Sequence, residues 1–137
     1  MLGNDIDTVG WPKSGEIDIM ENIGKEPASV HGTVHSPNPG GGDASSGGSF
    51  DLTSGKLSDD YHVYAVQWSD QFVKFLLDGK QYFEATPAML PSGSWVFQHP
   101  FFLLLNVAVG GNWPGYPDAT TTFPQTMLVD WVRVYQN

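Results

Sequence analysis

The sequence of 137 residues contains no cysteine, which excludes a disulfide framework and any thiolate metal site. Basic residues are scarce: 6 Lys and Arg stand against 15 Asp and Glu, for a net charge of −9. So acidic a chain is a poor partner for nucleic acid or an anionic membrane surface. No apolar run approaches the roughly 20 residues of a membrane-spanning helix. The longest, Phe101 to Val109, is broken by Asn106 and reads as a buried strand. Residues 1–5, Met-Leu-Gly-Asn-Asp, carry neither the basic nor the apolar region of a signal peptide. Nowhere does the 3.6-residue period of an amphipathic helix stand out.

What is present points to β-structure. There are 16 Gly and 10 Pro, a turn-rich composition, and hydrophobic residues make up 40%, including 5 Trp, 5 Tyr and 8 Phe, enough for one packed core. Strands are expected near 15–23, 30–36, 61–69, 72–77, 80–86, 101–109 and 126–136. Asp78-Gly79 joins two of them and predicts a tight hairpin, since glycine accepts the positive φ of a type I′ turn. Pro37 to Ser49, with its clustered glycines, reads as a flexible surface loop, and Thr86 to Pro100 as a second one. The expected architecture is all-β: a sandwich forming a single domain over 1–137.

The stretch Glu16-Ile17-Asp18-Ile19-Met20-Glu21 carries the chemistry. Acids alternating with Ile give a strand with one acidic and one apolar face. Glu16 and Asp18 share a face, whereas Glu21 falls on the other unless one extra residue, most simply Met20 in a β-bulge, returns it. Three acids on one face repel one another and raise at least one pKa. An acidic strand edge that discourages aggregation would explain the charge alone. It leaves the Ile partners and the preceding Trp11 and Gly15 unaccounted for. With the bulge, the Cα atoms of Glu16 and Glu21 lie roughly 13 Å apart. Side chains reaching about 4 Å each leave a gap of about 5 Å. Retaining glycosidases hold their two carboxyls about 5–5.5 Å apart, and inverting ones about 6.5–9.5 Å.

Gly10-Trp11-Pro12-Lys13-Ser14-Gly15 followed by that acidic strand resembles the active-site signature of glycoside hydrolase family 16, laminarinases most closely. His31-Gly32-Thr33-Val34-His35, the run from Phe101 through Asn112-Trp113-Pro114-Gly115, and Val129 to Gln136 match the family in the same order. The two residues between Asp18 and Glu21 resemble laminarinases, agarases and carrageenases, whereas lichenases and xyloglucan transglycosylases have one. The resemblance implies a β-jelly-roll of the concanavalin A type and extracellular hydrolysis of internal β-1,3-glucosidic bonds in a β-glucan such as laminarin. It implies Glu16 as nucleophile, Glu21 as general acid/base and Asp18 as the group between them, with no catalytic cofactor. The catalytic strand begins near residue 15, so the chain resembles the C-terminal half of such a domain. Missing strands would leave open edges, and self-association through them is expected. Gln98 stands where the family pattern suggests an acid.

Four further residues are candidate sugar contacts: Trp11, His35, Asn106 and Trp113. Trp11 either stacks on a pyranose ring or caps the core edge, and Trp113 sits in a Gly- and Pro-framed turn that could present it. His35 resembles the family histidine near the cleaved bond, in contact with Glu21 or a sugar hydroxyl, with a plain structural histidine as the other reading. A zinc site with His31 is a poor reading, because strand positions four apart lie about 13 Å apart. Asn106 either meets sugar or ties down a loop. Asp130 resembles the family's structural calcium position, whose other ligands would come mainly from the missing half. Two alternatives to catalysis are a glucan-binding module, and an inactive fragment that needs its complementing half.

Overall fold

The computed structural model describes residues 1–136, which fall into two compact units, Met1–Leu104 and the described residues from Leu105 on. In the first unit, β1 (Leu2–Gly3), β2 (Glu16–Glu21), β3 (Ser29–Pro37), β4 (Asp43–Asp51) and β8 (Phe101–Phe102) form one sheet in the order β4-β3-β2-β1-β8. A second sheet, β5-β6-β7, is made of Tyr64–Trp68, Val73–Leu77 and Lys80–Ala85. Every pairing is antiparallel. The sheets pack face to face: Ile17, Val34 and Ala44 from one meet Val73, Phe75 and Ala85 from the other in a common buried cluster.

Period-2 alternation decides which face of each strand is covered. Along β3, Val30, Gly32, Val34 and Ser36 are buried, while His31, Thr33 and His35 are only half-buried. Gly32 has a packing reason: a Cβ there would come within 2.4 Å of the Phe75 ring and 2.6 Å of the Tyr82 hydroxyl. The expected hairpin forms at Asp78 (φ 50°) and Gly79 (φ 79°), with Leu77 opposite Lys80.

Three expectations need correction. The Gly- and Ser-rich stretch read as a flexible loop is largely strand β4, paired with β3 from Asp43 opposite Pro37 to Asp51 opposite Ser29. Its glycines answer to close packing: a Cβ on Gly48 would lie 2.7 Å from Phe83 of β7, and one on Gly47 2.8 Å from the Thr33 hydroxyl. Small residues that weaken an isolated strand are here the ones that let two sheets approach. A short helix, α1 (Ile6–Val9), also forms, as do 3₁₀ turns at Leu57–Asp59 and Pro87–Met89. Elements of three or four residues are too short to display a helical period.

The third correction concerns the C-terminal strands. The strand expected over 101–109 ends at Phe102, and none forms over 126–136 among the described residues. A strand needs a ladder partner for its N–H and C=O groups. β8 pairs only with β1, Leu2 opposite Phe102 and Gly3 opposite Phe101, and β1 is two residues long. In the second unit Leu105, Val107, Val109, Leu128, Val132 and Val134 are exposed. Local order there comes from turns such as the Gly115 N–H to the Gly111 carbonyl at 3.0 Å, and from Arg133 over the Trp131 ring at 4.5 Å.

Candidate active site

The pairing of β2 with β3 sets the acids in a row. Glu16 lies opposite His35, Asp18 opposite Thr33, and Glu21 opposite His31. From Asp18 to Glu21 β2 advances three residues while β3 advances two, so one residue of β2 is extra and the register shifts there. That is the expected bulge, and it returns Glu21 to the face of Glu16 and Asp18. The two residues inside it are both used in packing. Ile19 lies against the main core cluster, and Met20 against a second one built on Val30, Leu57 and Leu77.

Burial, and then the charge of Asp18, push the Glu16 carboxyl above its usual range, opposed by a Trp11 hydrogen bond and by His35. Glu21 is raised by the same two causes in the same order, opposed by His35, His31 and the Thr33 hydroxyl. A half-buried row of three acids disfavours charge on its outer members, the physical condition for holding one of them protonated near neutrality.

Two side chains brace the row. The Trp11 indole N–H donates to Glu16 Oε2 at 2.6 Å, yet Trp11 is 51% exposed, so it does not cap the core. Its ring centre lies 6.0 Å from that of His35. His35 Nδ1 meets Asp43 Oδ2 at 2.7 Å and its Nε2 meets Asp18 Oδ2 at 3.3 Å. Its pKa is pushed up to about 9, mainly by the Asp18 hydrogen bond, so the ring is a cation at neutral pH. The expected His35 contact with Glu21 is electrostatic, and its close partners are the two aspartates.

The model for Glycosyl hydrolases family 16 matches residues 4–133. The chain belongs to this family.

Among family 16 structures, the laminarinase catalytic domain of Thermotoga maritima MSB8 is similar to it at 45% identity and a TM-score of 0.78, over 89% of this chain and 50% of that one. The endo-β-1,3-glucanase of Pyrococcus furiosus is similar at 45% and 0.77, over 90% and 48%. Glucan endo-1,3-beta-glucosidase A1 of Niallia circulans is 40% identical over 99% of this chain and 21% of its own length. The chain thus spans about half the length of these solved structures and about a fifth of that curated relative. The β-jelly-roll of the family accounts for the two packed antiparallel sheets.

Asn106 and Trp113 belong to the second unit, and the row described above is built from first-unit residues. Asn106 is exposed, so its amide can be hydrated and needs no buried partner. Asp130 is exposed, and no group of three or more His, Asp or Glu side chains able to hold a metal occurs among the described residues. Nothing among the described residues therefore supports a calcium site at Asp130, since calcium takes about 6–8 oxygen ligands. His62 is structural: Nδ1 meets Asp78 Oδ2 at 2.7 Å while Oδ1 accepts the Val63 N–H at 2.8 Å, fixing the hairpin. Asp43 was missed because it lay in the stretch read as loop. The acid eight residues after His35 was the available signal.

Proposed function

We propose that this protein hydrolyses internal β-1,3-glucosidic bonds of a β-glucan such as laminarin by a retaining double displacement. The carrying observation is the placement of Glu16, Asp18 and Glu21 on one face of a bulged strand. Glu16 attacks the anomeric carbon while Glu21 gives its proton to the departing glycosidic oxygen. Water activated by Glu21, now a base, then releases the sugar from Glu16. Asp18, between them, couples their protonation states. Trp11 offers a half-exposed indole face to a pyranose ring while its N–H is spent on Glu16. No cofactor takes part. A polymeric glucan does not cross a membrane, so this function goes with extracellular action.

The test is reducing-end release from laminarin by the purified chain, with the anomer of the first product read by NMR. The β-anomer first, and loss of release in Glu16→Gln, support the assignment. The α-anomer first would replace retention with inversion. Binding of laminarin without release would make the protein a glucan-binding module. Release only after a family N-terminal half is supplied would make it a fragment that needs complementing.

A further inference from the structure

The row of carboxylates is held by more than its own strand. His35 stands on β3 between two acids, Asp18 of β2 and Asp43 at the start of β4, each meeting a different ring nitrogen. The shorter contact is to Asp43, at 2.7 Å against 3.3 Å. We propose that Asp43 is a positioning residue for the hydrolysis proposed above, holding the His35 ring doubly protonated and oriented so that its Nε2–H is presented to Asp18. The proposal rests on that assignment of function.

The chemistry follows from the two nitrogens. A neutral imidazole has a single N–H. With that proton on Nδ1 toward Asp43, the Nε2 lone pair would face Asp18 Oδ2, an acceptor against an acceptor. The imidazolium donates to both aspartates at once and sets one positive charge against the three acids of β2. The titratable groups on the strands around the ring are Asp18, Glu16 and Glu21 on β2, His31 on β3 and Asp43 on β4. Asp43 is tied to this place by the β3–β4 register, which sets it opposite Pro37, and by the Ser36 hydroxyl donating to the Ala44 carbonyl at 3.0 Å. Its other oxygen, Oδ1, is buried with no hydrogen-bond partner among the described residues, so the ring of His35 is the group its carboxylate serves.

The experiment pairs a titration with kinetics on Asp43→Asn, which keeps the shape and removes the charge, with Asp43→Glu as the conservative control. NMR should show the His35 pKa falling below the parent value of about 9 in Asp43→Asn, with part of the rise remaining because Asp18 still meets Nε2. At pH 8 kcat should fall about tenfold with KM little changed, and should recover toward the parent value at pH 5.5, where the ring is protonated again. Asp43→Glu should restore part of both. An unmoved His35 titration overturns the proposal. So does a moved titration with kcat unchanged, or a loss of kcat equal at both pH values. If the parent chain releases no sugar from laminarin, the functional assignment has failed and the Asp18 carboxyl signal decides this point. It should follow His35 deprotonation in Asp43→Asn, and an Asp18 signal indifferent to His35 overturns the positioning role.

Discussion

Trp11 and Glu16, five residues apart in sequence, are joined by a 2.6 Å hydrogen bond from the indole N–H to Oε2. Glu16 heads β2, whereas Trp11 sits in the turn that leads into it after α1. The bond opposes the burial and the Asp18 charge that raise the Glu16 carboxyl.

Trp11→Phe keeps most of the aromatic area and deletes the donor. The Glu16 carboxyl should then rise further, so the acidic limb of kcat/KM should move to higher pH. Activity at the parent optimum should fall by about tenfold. A pH–rate profile that does not move would show that the bond has no bearing on Glu16.

Glu16→Gln should lower turnover by about three orders of magnitude or more with folding intact, because the attacking charge is gone. Near-normal release from laminarin would end its assignment as nucleophile. Glu21→Ala should be partly rescued by azide, with a β-glycosyl azide as product, because a small anion attacks the covalent intermediate without a general base.

The same carboxylates oppose folding. A carboxyl whose pKa is raised in the folded state holds its proton more tightly there, so stability falls as pH rises from the ordinary carboxyl range through the raised value. Glu16→Gln and Glu21→Gln should each raise the Tm at pH 7 by about 2–5 °C. Calorimetry at pH 4 and pH 7 checks the sign: the gain should be smaller at pH 4, where the parent acids are protonated.

His35 titrates in the other sense. Its pKa is raised to about 9 in the folded state, so its contribution is complete below about 6.5, the ordinary imidazole value, and is lost as pH rises through 9. The Tm of the parent chain should decline over that window, and His35→Gln should flatten the decline. A parent Tm constant from pH 6 to pH 9.5 would contradict the linkage.

Gly48→Ala puts a methyl 2.7 Å from Phe83, whereas Gly41→Ala meets nothing within 4 Å and carries only the strain of φ +96°. Gly48→Ala should cost about 1–3 kcal/mol in urea unfolding, as overpacking does. A neutral Gly48→Ala would mean that the β4–β7 approach is looser than described. Exposed apolar side chains such as Leu104, Leu105, Leu128 and Val134, together with the outer edges of β4 and β8, should also make the chain self-associate. Sedimentation equilibrium over a hundredfold concentration range (about 1–100 μM) reads this directly, and a monomer throughout would refute it.

By itself the sequence determined what is local. Acid–Ile alternation made β2 a strand, the count of residues from Glu16 to Glu21 demanded a bulge, and Asp78-Gly79 supplied the positive-φ turn. Each of these depends on period or on backbone freedom within a few residues. Tertiary structure decided what depends on a distant partner. β4 carries almost no strand propensity and forms because β3 offers a nine-residue ladder and β7 an aromatic ring that tolerates only small neighbours. The apolar run after Phe102 has the composition of a strand, but β1 gives it two residues to pair with. His35 acquired its charge in the same way. Its two aspartates come from the strands on either side, and only the register of three strands brings both nitrogens within reach of a carboxylate.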